Sequence, residues 1–417
     1  MKLACVVQRY GADIAGGSEA HCRAVAERLA RHHSVTVLTS CARDYVTWGN
    51  AYPAGDSLDN GVRVRRFSVR QTRKLGPFSD LSDEVFDGAA TPERQRSWFA
   101  ANGPDVPDLL EHLRTEGRDY DLVLFWTFRY SPSYFGLPLV ADRAVLVPTA
   151  EEDRALDLDV LQEYFRAPAG YIFLTPEEAA LVEARAATAL EPAAIIGMGL
   201  DPPPAAPDAA ILSSLAIPEP YVLYLGRVDR NKGCHTLLDY FQEYAESTQA
   251  SGFRLQASGS RLQGPGSRPQ DPGGVTLVLA GPAKIRIPAH PRIRALGYVS
   301  DQARDALLCG AKALVVPSPY ESLSIVLLEA WNRGVPALVN AHCAVLKGQV
   351  RRGNGGLFYR SQREFAEGLG YLLTHEAERV HFGRQGRAYV DREYRWPTVL
   401  GRVEALLEEV SARRTRV

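Results

Sequence analysis

The stretch ALVVPSPYESLSIVLLEA, residues 313–330, joins a short apolar run to a polar turn with two prolines and then to a helix-forming segment. Ala313–Val316 reads as a buried strand, the residues from Pro317 as a loop, and those around Ile325 as the start of a helix. This puts Glu321 in the loop and Glu329 about two turns into the helix; eight residues at about 3.6 per turn return to within about 80° of their start, so both carboxylates can face one cleft. Leu323, Ser324 and Ile325 then present backbone N–H groups at the helix N-terminus, which suits an anion. Glu329 has apolar neighbours in Val326, Leu327, Leu328, Ala330 and Trp331. A carboxylate in that setting is costly unless paired or liganded, so its presence points to function.

The same alternation of strand, loop and helix extends along the chain in two series, the pattern of parallel sheets covered by helices. The first series predicts strands at Leu3–Val7, Val35–Leu38, Val62–Phe67, Leu122–Trp126, Ala144–Val147 and Tyr171–Leu174, with a helix over Ser18–Ala30. The turn signal Asp59-Asn60-Gly61 precedes the third of these. The second predicts Tyr221–Leu225, Val275–Ala280, Ile293–Leu296, Ala313–Val316 and Ala337–Val339, with a helix over His235–Ala245. Gly197 to Pro204, with its glycines and prolines, reads as a connector. The expected division is residues 1–200, 201–396 and a terminal helical segment 397–417 in which Val399, Val403, Leu406, Leu407 and Val410 form one stripe. Residues 249–274, rich in Gly, Ser, Gln and Pro, read as a surface excursion.

Composition narrows the function classes. A chain of 417 residues is too long for one core, and a net charge of −1 gives no global field for nucleic acid. Any anionic partner must be held locally. Six cysteines without a CxxC pair or metal-ligand spacing fit a reducing compartment, and no leader or membrane-spanning run is read, so a cytoplasmic protein without a metal or cofactor is expected.

Three further loops carry chemistry-bearing residues. Gly11 to Glu19 holds the pair Gly16-Gly17, where backbone N–H groups can approach a phosphate; alternatively it is a turn with Ser18 as helix cap. Its spacing is not GxGxxG, which weakens a dinucleotide reading. Gly226-Arg227-Val228-Asp229-Arg230-Asn231-Lys232-Gly233 sets two cations at a strand's carboxyl edge, where open α/β sheets bind ligands and where Arg and Lys can hold a diphosphate. Pro148-Thr149-Ala150-Glu151-Glu152-Asp153 is acidic, and it reads either as contacts to a ligand or as helix capping. Trp126, Arg129 and Tyr130, at the end of the preceding strand, line the same pocket or else pack as core and surface groups. His21 and Thr175-Pro176-Glu177-Glu178 read as structural.

With Gly16-Gly17-Ser18-Glu19, Gly226-Arg227, Lys232-Gly233, Gly297-Tyr298-Val299 and the pair Glu321 and Glu329 in this order, the sequence resembles the retaining glycosyltransferases of family 4. The resemblance implies the GT-B architecture: two Rossmann-like domains facing a cleft, the acceptor side first and the donor side second, with the last helix returning to the first domain. It further implies a nucleotide diphosphate sugar as donor, held without a metal. Arg227 and Lys232 would bind the diphosphate and Glu321 the sugar. Glu329 would take the ribose hydroxyls, Val299 would flank the base, Ser322 to Ile325 would approach the phosphates, and the Gly16-Gly17 loop would approach the donor phosphate or the acceptor. Trp126, Arg129, Glu151, Glu152 and Asp153 would serve a sugar, lipid-linked or small-molecule acceptor, with membrane contact at most peripheral. Relatives often carry a histidine in the stretch that reads Pro148 to Asp153 here. A nucleotide-sugar epimerase of the same architecture, a degenerate nucleotide-sugar-binding subunit and a nicotinamide oxidoreductase are the rival readings.

Overall fold

Strands that are buried on both faces need helices on both sides, and these sequences meet that need. The first unit holds β1 (Lys2–Val6), β2 (Ser34–Ser40), β3 (Gly55–Asp59), β4 (Val62–Phe67), β5 (Leu122–Trp126), β6 (Ala144–Val147), β7 (Gly170–Phe173) and β8 (Ala193–Ile195). They form one sheet in the order β3-β4-β2-β1-β5-β6-β7-β8. The central strands β1, β2, β5, β6 and β7 are buried almost throughout and pair in parallel, as apolar runs linked by helices must. The computed structural model describes residues 1–14, 16–88, 90–203, 205, 207, 209–257 and 274–415.

Several expectations need correcting. β3 is an exposed, polar strand antiparallel to β4, and Asn60 and Gly61, both at positive φ, turn the chain between them. The turn signal was therefore the tip of a hairpin whose first strand, GDSLD, has no apolar face to reveal it. β8 was likewise not anticipated. The first helix runs over Gly17–Leu29 with Gly16 as its N-cap and no side-chain cap, so Ser18 lies inside the helix and is not the cap.

The second unit holds β9 (Tyr221–Leu225), β10 (Thr276–Ala280), β11 (Ile293–Gly297), β12 (Leu314–Val316), β13 (Ala337–Asn340) and β14 (Gly356–Tyr359), a parallel sheet in the order β11-β10-β9-β12-β13-β14. Placing β12 directly beside β9 brings the loops that leave these two strands side by side. β14 was not expected. The helix predicted over His235–Ala245 continues over Cys234–Ala257, which takes the first part of the supposed excursion into regular structure; residues 258–273 lie outside the described residues.

The units divide the chain into Met1–Gly199 with Trp396–Val417, and Leu200–Arg395. The terminal helix Trp396–Thr415 thus belongs to the first unit. Its stripe of Val399, Val403, Leu406, Leu407 and Val410 is buried, and it packs on β7, β8 and the helix Gly17–Leu29. Arg28 stacks 3.6 Å above the Trp396 ring at its start.

Candidate active site

In the second unit β9 ends at Leu225, and the loop from Gly226 to Gly233 is tied down by backbone: Val228 N–H donates to Pro282 O and Lys284 N–H to Val228 O. Asp229 is buried, and its Oδ1 accepts the Lys232 N–H at 2.9 Å, which fixes where the lysine leaves the loop. Gly233 sits at φ 70°, and a Cβ there would lie 2.3 Å from Pro317 O. That close approach lets the loop after β9 meet the loop after β12. Lys232 Nζ then donates to Glu321 Oε1 at 2.9 Å. Arg227 is half-exposed, with its guanidinium 3.6 Å from Asp229.

The helix Ile325–Asn332 begins at Ser324, whose side chain makes no cap bond. Ser324 is buried, and among the described residues its Oγ has no hydrogen-bond partner. A buried hydroxyl at an uncapped helix N-terminus is an unfilled polar position of the kind an anionic ligand satisfies. Leu323 is buried beside it, and Ser322 and Ile325 are half-buried. Glu321 and Glu329 lie in the loop and in the helix as the sequence reading has them, but they take different partners. Glu329 is paired with Arg304 of the neighbouring helix Asp301–Gly310. Burial pushes its carboxyl up from the ordinary value, and Arg304 opposes that shift. The pair lines a groove of about 530 Å³ shared with Asp301, Asp305, Asn332 and Arg333. Val299 is half-buried between β11 and the helix that Ser300 caps, next to the exposed Tyr298.

In the first unit Gly16 stands beside a carboxylate: a Cβ on it would lie 2.2 Å from Glu19 Oε2, while nothing crowds Gly17. Glu19 and Arg9 are both buried and paired, Arg9 Nε donating to Glu19 Oε1 at 2.9 Å, and Ser18 Oγ donates to the other carboxylate oxygen. Arg129 is paired with Asp153. Asp153 Oδ1 also accepts the Ala155 N–H, so the capping reading of this residue holds. Glu151 is half-buried and Glu152 exposed. Trp126 must be withdrawn as an acceptor residue: it is fully buried, and its indole N–H donates to His21 Nδ1 at 2.9 Å. Tyr130 packs edge-on against Trp48.

Sequence reasoning missed Arg304 and Glu178. The spacing of Arg304 to Glu329 follows no local rule. Glu178 was read with its neighbours as an acidic first turn, and Thr175 does cap that helix, Pro176–Ala186. Yet Glu178 is completely buried, with Oε1 accepting the Ala150 N–H at 2.7 Å and Oε2 the Leu174 N–H at 2.6 Å. It clamps the start of the Glu151–Asp153 stretch to the end of β7. The six cysteines are all free, and among the described residues no His, Cys, Asp and Glu gather as a metal-holding group. No helix among them is long and apolar enough to cross a membrane.

Residues 219–375 match the family model for Glycosyl transferases group 1. No curated protein matches the chain in sequence. The sucrose-phosphate synthase of Thermosynechococcus elongatus is similar in structure, with TM-score 0.70 and 18% identity over 99% of this chain and 100% of that one. Anabaena HepE, solved in complex with UDP and glucose, gives TM-score 0.66 and 14% identity over 98% of this chain and 100% of that one. WaaG, a glycosyltransferase involved in lipopolysaccharide biosynthesis, gives 0.60 and 17% over 99% of each. At these identities the likeness establishes a shared two-sheet fold, and the matched segment contains Arg227, Lys232, Glu321 and Glu329. Residues 219–375 are a group 1 glycosyl transferase domain, and the chain that carries them is a transferase enzyme of the GT-B fold.

Proposed function

We propose that this enzyme moves a sugar from a nucleotide diphosphate donor to an acceptor hydroxyl, with retention at the anomeric carbon. One observation carries the reading: Lys232 and Glu321 meet beside the uncapped helix N-terminus where Ser324 has an unpartnered buried hydroxyl. Diphosphate oxygens would take the Lys232 ammonium, the Arg227 guanidinium and the N–H groups from Ser322 to Ile325. Glu321 would contact the sugar, Glu329 the ribose, and Val299 the base. The complex of Anabaena HepE with UDP and glucose supports this donor class.

In the reaction the bond from the anomeric carbon to the diphosphate oxygen breaks, and its electron pair stays on the phosphate. Arg227 and Lys232 neutralise that charge, an effect worth about 3–4 kcal/mol per well-aimed donor group, and so do the work a divalent ion would otherwise do. The acceptor oxygen bonds the same face of the carbon, and its proton passes to the leaving phosphate oxygen. Arg129, Glu151 and Glu152 would meet acceptor hydroxyls, with Asp153 holding Arg129 while it caps the turn that follows. Six free thiols support a reducing, cytoplasmic setting, and any membrane contact would be peripheral. The test is incubation with a panel of nucleotide sugars. Slow release of the nucleoside diphosphate, lost in Arg227→Ala and Lys232→Ala, is expected; release unchanged in both variants would sink the reading.

A further inference from the structure

Glu329 lines a groove with Asp301, Asp305, Asn332 and Arg333, and among the described residues the cation that pairs with it is Arg304, which donates to Oε2. Among the described residues no hydrogen bond reaches Oε1. The remaining charges around it are accounted for. Asp301, on the same helix as Arg304, acts against ionisation of Glu329, while Asp305 is taken by Arg333, whose Nε lies 2.7 Å from its Oδ1. β12 and β13, packed beneath, bring no ionisable side chain. The helix Glu376–Glu393, packed on the other side, turns Gly386 to Trp331 and pairs Arg379 with Glu376 and Arg387 with Asp391.

We propose that Arg304 is a positioning residue for the donor: it fixes the Glu329 carboxylate through Oε2 and leaves Oε1 presented to a ribose hydroxyl. This rests on the reading of Glu329 as the ribose contact. A hydrogen bond accepted by a carboxylate is about twice as strong as one accepted by a neutral group, so the ribose is held well while Glu329 stays charged. With the guanidinium gone, burial and Asp301 favour the protonated acid, and only a rise in pH restores the anion.

The experiment is calorimetric titration of UDP into the wild-type protein, Arg304→Met, Arg304→Lys and Glu329→Gln, above about pH 7, where the diphosphate's own charge no longer changes. Wild-type and Arg304→Lys affinities are expected to stay level across the range. Arg304→Met is expected to bind about tenfold more weakly near neutrality, the loss of one charge-assisted bond, and to regain affinity as the pH rises. Glu329→Gln should be weak throughout. Arg304→Met binding as the wild type does, or weakly at every pH, would overturn the proposal while leaving the donor reading intact. Glu329→Gln binding at full strength, or a wild-type protein that binds none of UDP, GDP and ADP, would remove the reading beneath it.

Discussion

Lys232 and Glu321, 89 residues apart in sequence, share a 2.9 Å hydrogen bond. The ammonium that would meet the diphosphate is therefore already engaged by the carboxylate assigned to the sugar. Glu321→Gln should release Lys232, so UDP binding stays equal or tightens while transfer falls. Lys232→Ala should lose both binding and turnover, the latter by about 10²–10³-fold. Calorimetry with UDP and a release assay separate the two; weaker UDP binding in Glu321→Gln would contradict this account.

Gly233→Ala tests the close approach of the two loops. Its positive φ and the 2.3 Å approach to Pro317 O leave no room for a methyl, so the loops must part. A loss of about 1–3 kcal/mol in stability, with donor release abolished, is expected from denaturant melts and activity assays. Gly401→Ala, in the terminal helix with nothing within 4 Å, should instead stabilise by up to about 1 kcal/mol.

Glu178 gives a pH signature. Burial pushes its carboxyl up from 4.5 to about 8, against the pull of the backbone N–H donors of Leu174, Ala150 and Thr175. Between those values the folded protein holds a proton that the unfolded chain has released, so this group makes stability fall as pH rises from 4.5 to about 8. Glu178→Gln should flatten that part of the stability profile, measured by melts at fixed ionic strength. An unchanged slope would show that the clamp is not the titrating element.

His21 works in the opposite sense. Its ring accepts the Trp126 indole N–H on Nδ1 and donates to Gly197 O from Nε2, and burial lowers its pKa from 6.5 to about 4. It contributes stability that is present above 6.5 and lost as pH falls through about 4. His21→Ala should remove this acid sensitivity and leave two buried groups unpaired, at about 1–3 kcal/mol each. Thermal melts across that range read both effects.

What the sequence revealed depended on whether a signal was local. Ala313–Val316 followed by Pro317 and a periodic run announces strand, loop and helix by itself, so Glu321 and Glu329 could be placed from their positions alone. The bond from Lys232 to Glu321 depends on β12 lying against β9, which no single stretch encodes. Edge strands such as β3 and β8 expose much of their length and so lack the alternation that marks a half-buried strand. Glu178 misled for the opposite reason: Thr-Pro-Glu-Glu is good capping sequence, and only the burial of the second glutamate reveals its other task. Trp126 ends a strand at the functional edge, but its indole faces a histidine from the first helix, a contact 105 residues away in the chain.

The terminal helix has a consequence for biosynthesis. β7, β8 and the helix Gly17–Leu29 are covered by the terminal helix with its buried Val399, Val403 and Leu407, which leaves the ribosome only after the whole of Leu200–Arg395 has been made. The second unit can close its core as it emerges, while the earlier-translated one waits with apolar surface uncovered until synthesis has passed residue 410. A nascent chain halted before Trp396 would thus carry a finished second half and an unfinished first one, the reverse of the order in which they were translated.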